Sequence, residues 1–338
     1  MNERRHAKTV RRHAMLALAT AIVAASGRAQ DGASTLAANL EVADAVVLAT
    51  VTERTTTADD LLRVRLVVDE ALAGAPPTAC TLIEPAAACC GRSLFALQVG
   101  DVRLVFLRRS GAAWHVAGGP RGMLPAVADL VAHVRSLAVH RAGPARTALL
   151  VAALDAPEPR IADDAALALA AQAGLLLDPA ARMRVGDALM QALDRQSPRA
   201  APLLEVAARS ADAGLRDALL ARYLACPRDA EAALLARGLL RSPVAGTVEL
   251  AIAGAADEAR GMRAAELVAS LEPDAAVQAC FALLRRTSAP RVQLRACEEL
   301  LARGVPDDRI PTAPAQVVAM ARKRVEARNL RSKGDAVR

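Results

Sequence analysis

Aromatic side chains are nearly absent from this chain. Its 338 residues hold Trp114, Tyr223, Phe95, Phe106 and Phe281 and no others, too few to build stacking platforms for single-stranded nucleic acid, aromatic cages or sugar-binding shelves. Lysine is rarer still, with only Lys8, Lys323 and Lys333, so no P-loop lysine exists in the body of the chain. The cluster Gly118-Gly119-Pro120-Arg121-Gly122 matches neither the dinucleotide fingerprint nor the P-loop and reads as a turn. Zinc sites draw four ligands from cysteine and histidine, commonly as close pairs such as C-x2-C. Here Cys89 and Cys90 are adjacent, His115 lies on an expected strand, and His133 and His140 fall two turns apart on one expected helix. No metal and no cofactor are expected. No G-x-S-x-G nucleophile elbow occurs, and no apolar run reaches the roughly 20 residues of a membrane span.

Hydrophobic residues are plentiful, at 54% of the chain, which excludes a disordered protein and supplies core for about two domains. The formal charge of +7 belongs to the ends. Residues 1–29 and 322–338 are each strongly basic, and the body between them is weakly acidic, so the basicity carries no nucleic-acid signal. Residues 1–29 run from a basic region, NERRHAKTVRRHA, through the apolar MLALATAIVAA to the small residues of SGRA. That is the tripartite pattern of a secretory signal peptide, cleaved after Ala29 or Gly27, with a retained anchor as the alternative. An exported protein, periplasmic or extracellular, is expected.

Residues 30–125 carry strand signals. A short helix or turn precedes Val46-Val47-Leu48 and Val51. Leu62, Val64, Leu66 and Val68 then alternate with Arg63 and Arg65 at period two, and ACTLIEP, VRLVFLRR and AAWHVAGG follow. Five short strands separated by turn residues predict a small all-β, OB-like antiparallel barrel. The run Cys90-Gly91, Gly100-Asp101 and Leu104-Val105-Phe106-Leu107 resembles the barrel domain of tissue inhibitors of metalloproteinases and netrin-like modules. That resemblance implies the barrel. It does not carry the inhibitory apparatus, which uses an N-terminal cysteine to chelate the protease zinc, because the first cysteine here is Cys80.

From residue 126 to 338 the period becomes helical. Breakers recur at Pro157/Pro159, Pro179, Pro198, Gly214, Pro227, Pro243, Pro273 and Pro290, and segments such as LRDALLARYLA and RVQLRACEELLARG place apolar residues at i, i+3, i+4 and i+7. Short amphipathic helices at near-constant spacing bury their stripes by stacking on neighbours. These segments resemble HEAT repeats, about five helix pairs, and predict an all-α solenoid ending in a basic C-terminal helix. Armadillo-like or tetratricopeptide packing is the alternative. On that last helix Val317, Val318, Ala321 and Val325 share a side, and Arg322, Arg324, Arg328 and Arg331 lie largely elsewhere. A capping helix is expected there, with membrane contact by the basic tail as the alternative.

Six cysteines in an exported chain invite disulfide pairing. Cys280 and Cys297 sit symmetrically about the turn near residue 288, level with one another on antiparallel helices; buried free thiols are the alternative. Cys80 with Cys89 or Cys90 is the second candidate bridge. Cys90, His115 and Asp101 supply the residue types of a thiol triad, set against a disulfide, a strand-face histidine and a turn acid. Charged residues of the helices, such as Arg216, Asp217 and Arg222 or Arg295, Glu298 and Glu299, read as a solvated face or as a protein-binding surface. The sequence as a whole points to a non-enzymatic scaffold that binds protein partners. An envelope or extracellular protease inhibitor is the second reading, and a thiol-dependent hydrolase or lyase the third.

Overall fold

The structure is a computed structural model that describes residues 35–56, 61–85, 97–310 and 313–335. The expected signal segment, Cys89 and Cys90 lie outside the described residues. The chain divides into two compact units, one ending at Ala171 and the other running from Gln172 to Arg338.

The first unit opens with α1 (Leu36–Val42), whose N-cap Thr35 accepts a hydrogen bond from Ala38 N through its side chain at 2.9 Å. Six antiparallel strands follow: β1 (Ala45–Thr56), β2 (Leu61–Gly74), β3 (Ala79–Pro85), β4 (Val102–Ser110), β5 (Ala113–Val116) and β6 (Met123–Pro125). Their order is β3-β2-β1-β4-β5. The free edges of β3 and β5 approach each other, so the sheet nearly closes into a barrel. Period-two alternation sends Val47, Ala49 and Val51 of β1, Leu62, Val64 and Leu66 of β2, and Val105 and Leu107 of β4 into one core. β4 is buried on both faces, because Leu104 and Phe106 on its other side are also fully covered.

Five strands are expected from the sequence; β6 is the sixth. A 3-10 turn at Gly119–Gly122 returns the chain so that Met123 pairs with Val105. Gly122 permits the reversal, since a Cβ there would meet the Ala117 carbonyl oxygen at 1.7 Å. β4 thus pairs with β6 over Arg103–Val105 and with β5 over Leu107–Ser110.

Three further helices belong to the same unit: α2 (Ala128–Val139), α3 (Gly143–Ala153) and α4 (Pro159–Ala171). α1 packs on β4, α2 and α4, and α2 packs on β2. Nη2 of Arg135 donates to both carboxylate oxygens of Glu70, at 2.6 and 2.7 Å, and joins α2 to β2, and Arg146 to Glu41 at 2.6 Å joins α3 to α1.

The second unit contains α5 (Pro179–Asp194), α6 (Ala200–Arg209), α7 (Ala213–Ala225), α8 (Asp229–Arg241), α9 (Thr247–Ala253), α10 (Glu258–Ala269), α11 (Pro273–Arg286), α12 (Pro290–Ala302) and α13 (Ala315–Asp335). The prolines open helices: Pro179, Pro273 and Pro290 stand in the first turn, where no amide proton is needed. Asp178, Asp212 and Asp257 cap three N-termini. The main packings join helices one to three places apart along the chain, such as α6 with α8 and α10 with α12. Two of these contacts run through glycine: Leu204 of α6 lies over Gly238 of α8, and Val292 of α12 over Gly261 of α10. On α13, Val318, Ala321 and Val325 are buried, and Arg322, Arg324 and Arg328 are exposed.

Candidate functional site

α10 borders two hollows of the second unit. Its sequence, EARGMRAAELVA, puts Ala264, Ala265, Leu267 and Val268 into the core. Ala259 and Glu266 are exposed on the opposite side, and Met262 and Arg263 are half-buried on its flanks. Two hollows meet at Met262. One, of about 500 Å³, lies between α7 and α10 and is lined by Leu224, Pro227, Asp229, Arg260 and Arg263. The other, of about 330 Å³, lies among α10, α12 and α13 and is lined by Met262, Arg291, Leu294, Arg295, Glu298 and Arg324. Both volumes fall within the ordinary range of ligand clefts.

The walls are held by ion pairs and by tyrosine and arginine bonds to backbone carbonyls. Arg263 donates to the Cys226 carbonyl at 3.1 Å, to Asp229 at 2.8 Å and to Glu266 at 2.7 Å. The Tyr223 hydroxyl donates to the Arg263 carbonyl at 2.6 Å, tying α7 to α10. Arg222 joins Asp194 and Glu231 at 2.6 and 2.7 Å. On the other side Glu298, only 5% exposed, receives three guanidinium groups: Arg324 at 3.1 Å, Arg295 at 3.4 Å and Arg328 at 3.5 Å. Arg291 pairs with Glu258 at 3.3 Å across α12 and α10.

A fully solvated charged face, one of the two expectations from the sequence, is therefore corrected at two positions. Arg216 is 8% exposed and bonds the Ala245 carbonyl at 2.8 Å, and Glu298 is buried beneath its arginines. Both residues come under cover through neighbouring elements of the array, the start of α9 over Arg216 and α13 over Glu298, which a single-helix reading does not see.

The thiol candidates separate. Cys280 and Cys297 are both buried on facing helices, and the four described cysteines, Cys80, Cys226, Cys280 and Cys297, are free thiols. The inward orientation inferred for Cys280 and Cys297 is present, and the sulfur–sulfur bond is not. Burial pushes the Cys280, Cys297 and Cys80 thiols each up to about 11. The partners considered for Cys80, Cys89 and Cys90, lie outside the described residues. Of the triad residue types, His115 is exposed on β5. Asp101 accepts from Arg103 at 2.5 Å and from Gln98 N at 2.9 Å, and these bonds hold its carboxyl below the usual range. No hydrogen bond joins the two.

In the first unit a hollow of about 340 Å³ is lined by Val42, Arg108, Arg109, His115 and Gly118. Asp44 fixes its rim by accepting from Arg109 N at 2.7 Å. Among the described residues no cluster of three metal-ligating side chains occurs, and no helix is long and apolar enough to cross a membrane. No protein-family model, curated protein or solved structure matches this chain.

Proposed function

We propose that the chain is an exported, non-enzymatic scaffold that binds a protein partner along α10, with an OB-like barrel preceding a HEAT-like helical array. The strand order β3-β2-β1-β4-β5, with β3 and β5 facing across the gap, supports the barrel reading. Packing restricted to helices near in sequence supports the array reading. The observation that carries the functional reading is the pair of hollows meeting at Met262, flanked by arginines that carboxylates hold in place. Methionine and arginine are enriched at protein interfaces, and methionine adapts its shape to a partner. Ion-paired walls around a half-buried methionine offer a partner both charge and an adaptable apolar contact.

The test is affinity capture from the native envelope fraction with the full chain and with Met262→Asp, both checked for equal thermal stability. The reading expects a stoichiometric partner retained by the first and lost by the second. An identical set of captured proteins from both would refute it.

A further inference from the structure

The two hollows that meet at Met262 differ in charge. In the one between α7 and α10, the carboxylates Asp229, Asp257 and Glu266 face Arg260 and Arg263, and acid is in slight excess. The one among α10, α12 and α13 is lined by Arg291, Arg295, Arg324 and the carboxylate of Glu298, with Glu258 and Glu299 pairing with Arg291 and Arg295 from outside the lining. Glu298 lies under the arginines, its side chain 6% exposed, whereas Arg291 and Arg324 are 79% and 58% exposed. The carboxylate thus acts as a floor that positions guanidinium groups whose outer donors face solvent. A guanidinium has five N–H donors, and the single 3.1 Å bond from Arg324 to Glu298 and 3.3 Å bond from Arg291 to Glu258 leave most of them available. Leu294 and Met262 supply an apolar wall beside them.

We infer that the cleft among α10, α12 and α13 binds an acidic segment of a partner protein, its carboxylates on Arg291 and Arg324 and a neighbouring apolar side chain against Met262 and Leu294. This inference rests on the α10 binding surface proposed above and adds the chemistry of what it binds. Charge complementarity selects the sign: around the cleft Arg291, Arg295, Arg324 and Arg328 outnumber their partners Glu258, Glu298 and Glu299, and like-charge contact with a cationic segment is strongly disfavoured at interfaces. The apolar wall and the onward path past Met262 select a polypeptide over a bare phosphate.

The experiment measures fluorescence anisotropy of the full chain with short labelled peptides. These share their Ala and Leu positions and carry Glu, Gln or Lys at the rest. The Glu peptide is expected to bind at least about tenfold more tightly than the other two, with affinity falling as salt screens the arginines. The double variant Arg291→Gln/Arg324→Gln should weaken it about tenfold. Arg241→Gln, at an exposed arginine of α8 paired with Glu205, should leave it unchanged. Thermal melting of each variant controls for folding, which the double variant should keep because Glu298 retains Arg295 and Arg328. Equal binding of the Glu and Gln peptides would overturn the acidic partner and leave the α10 surface standing. An identical set of proteins captured by the wild type and by Met262→Asp would remove the surface itself. Sedimentation of the chain with phosphatidylglycerol vesicles, abolished by the double variant and without Glu-peptide binding, would overturn the proposal in favour of a lipid surface.

Discussion

Asp164, buried in α4, accepts a hydrogen bond from the backbone amide of Leu36, which opens α1 128 residues earlier. The carboxylate satisfies an orphan amide at the start of α1, and the Thr35 side chain accepts from Ala38 N in the same first turn. That link is one reason why the first unit extends to Ala171, well past the last strand.

Burial pushes the Asp164 carboxyl up to about 6, against the opposing effects of the Leu36 and Ala37 amides and the Arg160 and Arg146 charges. A carboxyl raised above its unfolded value favours the fold most below about pH 4, and this contribution is lost as pH rises through about 6. The difference corresponds to about 3 kcal/mol. Urea denaturation of the wild type and Asp164→Asn between pH 4.5 and 7.5 should therefore show a difference that grows in favour of Asn with rising pH. Parallel pH profiles would contradict it. The comparison isolates Asp164 from His133, whose burial lowers its value and works with the opposite sign.

Gly238 and Gly186 should respond differently to the same change. A Cβ at Gly238 would stand 2.6 Å from the Leu204 side chain, whereas one at Gly186 meets Leu215 at 3.4 Å, an ordinary contact. Gly238→Ala is expected to destabilise the second unit by about 1–3 kcal/mol despite alanine's helix propensity. Gly186→Ala should be stabilising by about 0.5–1 kcal/mol. Equal melting shifts for the two would show that the α6–α8 contact is looser than described.

Cys280 and Cys297 should resist alkylation in the native protein at pH 8, since little of a thiol at about 11 is ionised there. Both should label on unfolding, and non-reducing peptide mapping should recover no linked pair. A linked Cys280–Cys297 peptide would revive the bridge that their symmetric spacing suggests.

Intact-mass measurement from the native host should show loss of about 27–29 residues if the N-terminal pattern is a cleaved export signal. A full-length mass in the cytoplasm would contradict export.

Local periodicity made much of this architecture legible. The alternation Leu62, Val64, Leu66 marks β2, and the proline spacing marks the starts of α5, α11 and α12. β6 escaped because Met123-Leu124-Pro125 is too short to show a period and depends on Gly122 to reverse the chain. The extension of the first unit escaped because its ties, Asp164 to Leu36 and Arg135 to Glu70, span 128 and 65 residues. The cleft was half visible: Arg295 and Glu298 are neighbours on one helix turn. Arg324 and Arg328 join them only through the packing of α13 on α12, and Met262 only through α10 on α12.

The binding surface on α10 is the central claim, and site-specific photo-crosslinking tests it most directly. A photoreactive phenylalanine analogue is placed at Met262 in the full chain and, as a control, at Leu176, which is 91% exposed in the second unit. After irradiation in the native host, position 262 should give a discrete adduct with one partner protein and position 176 none. The absence of an adduct at 262, or the same adducts at both positions, would contradict the account.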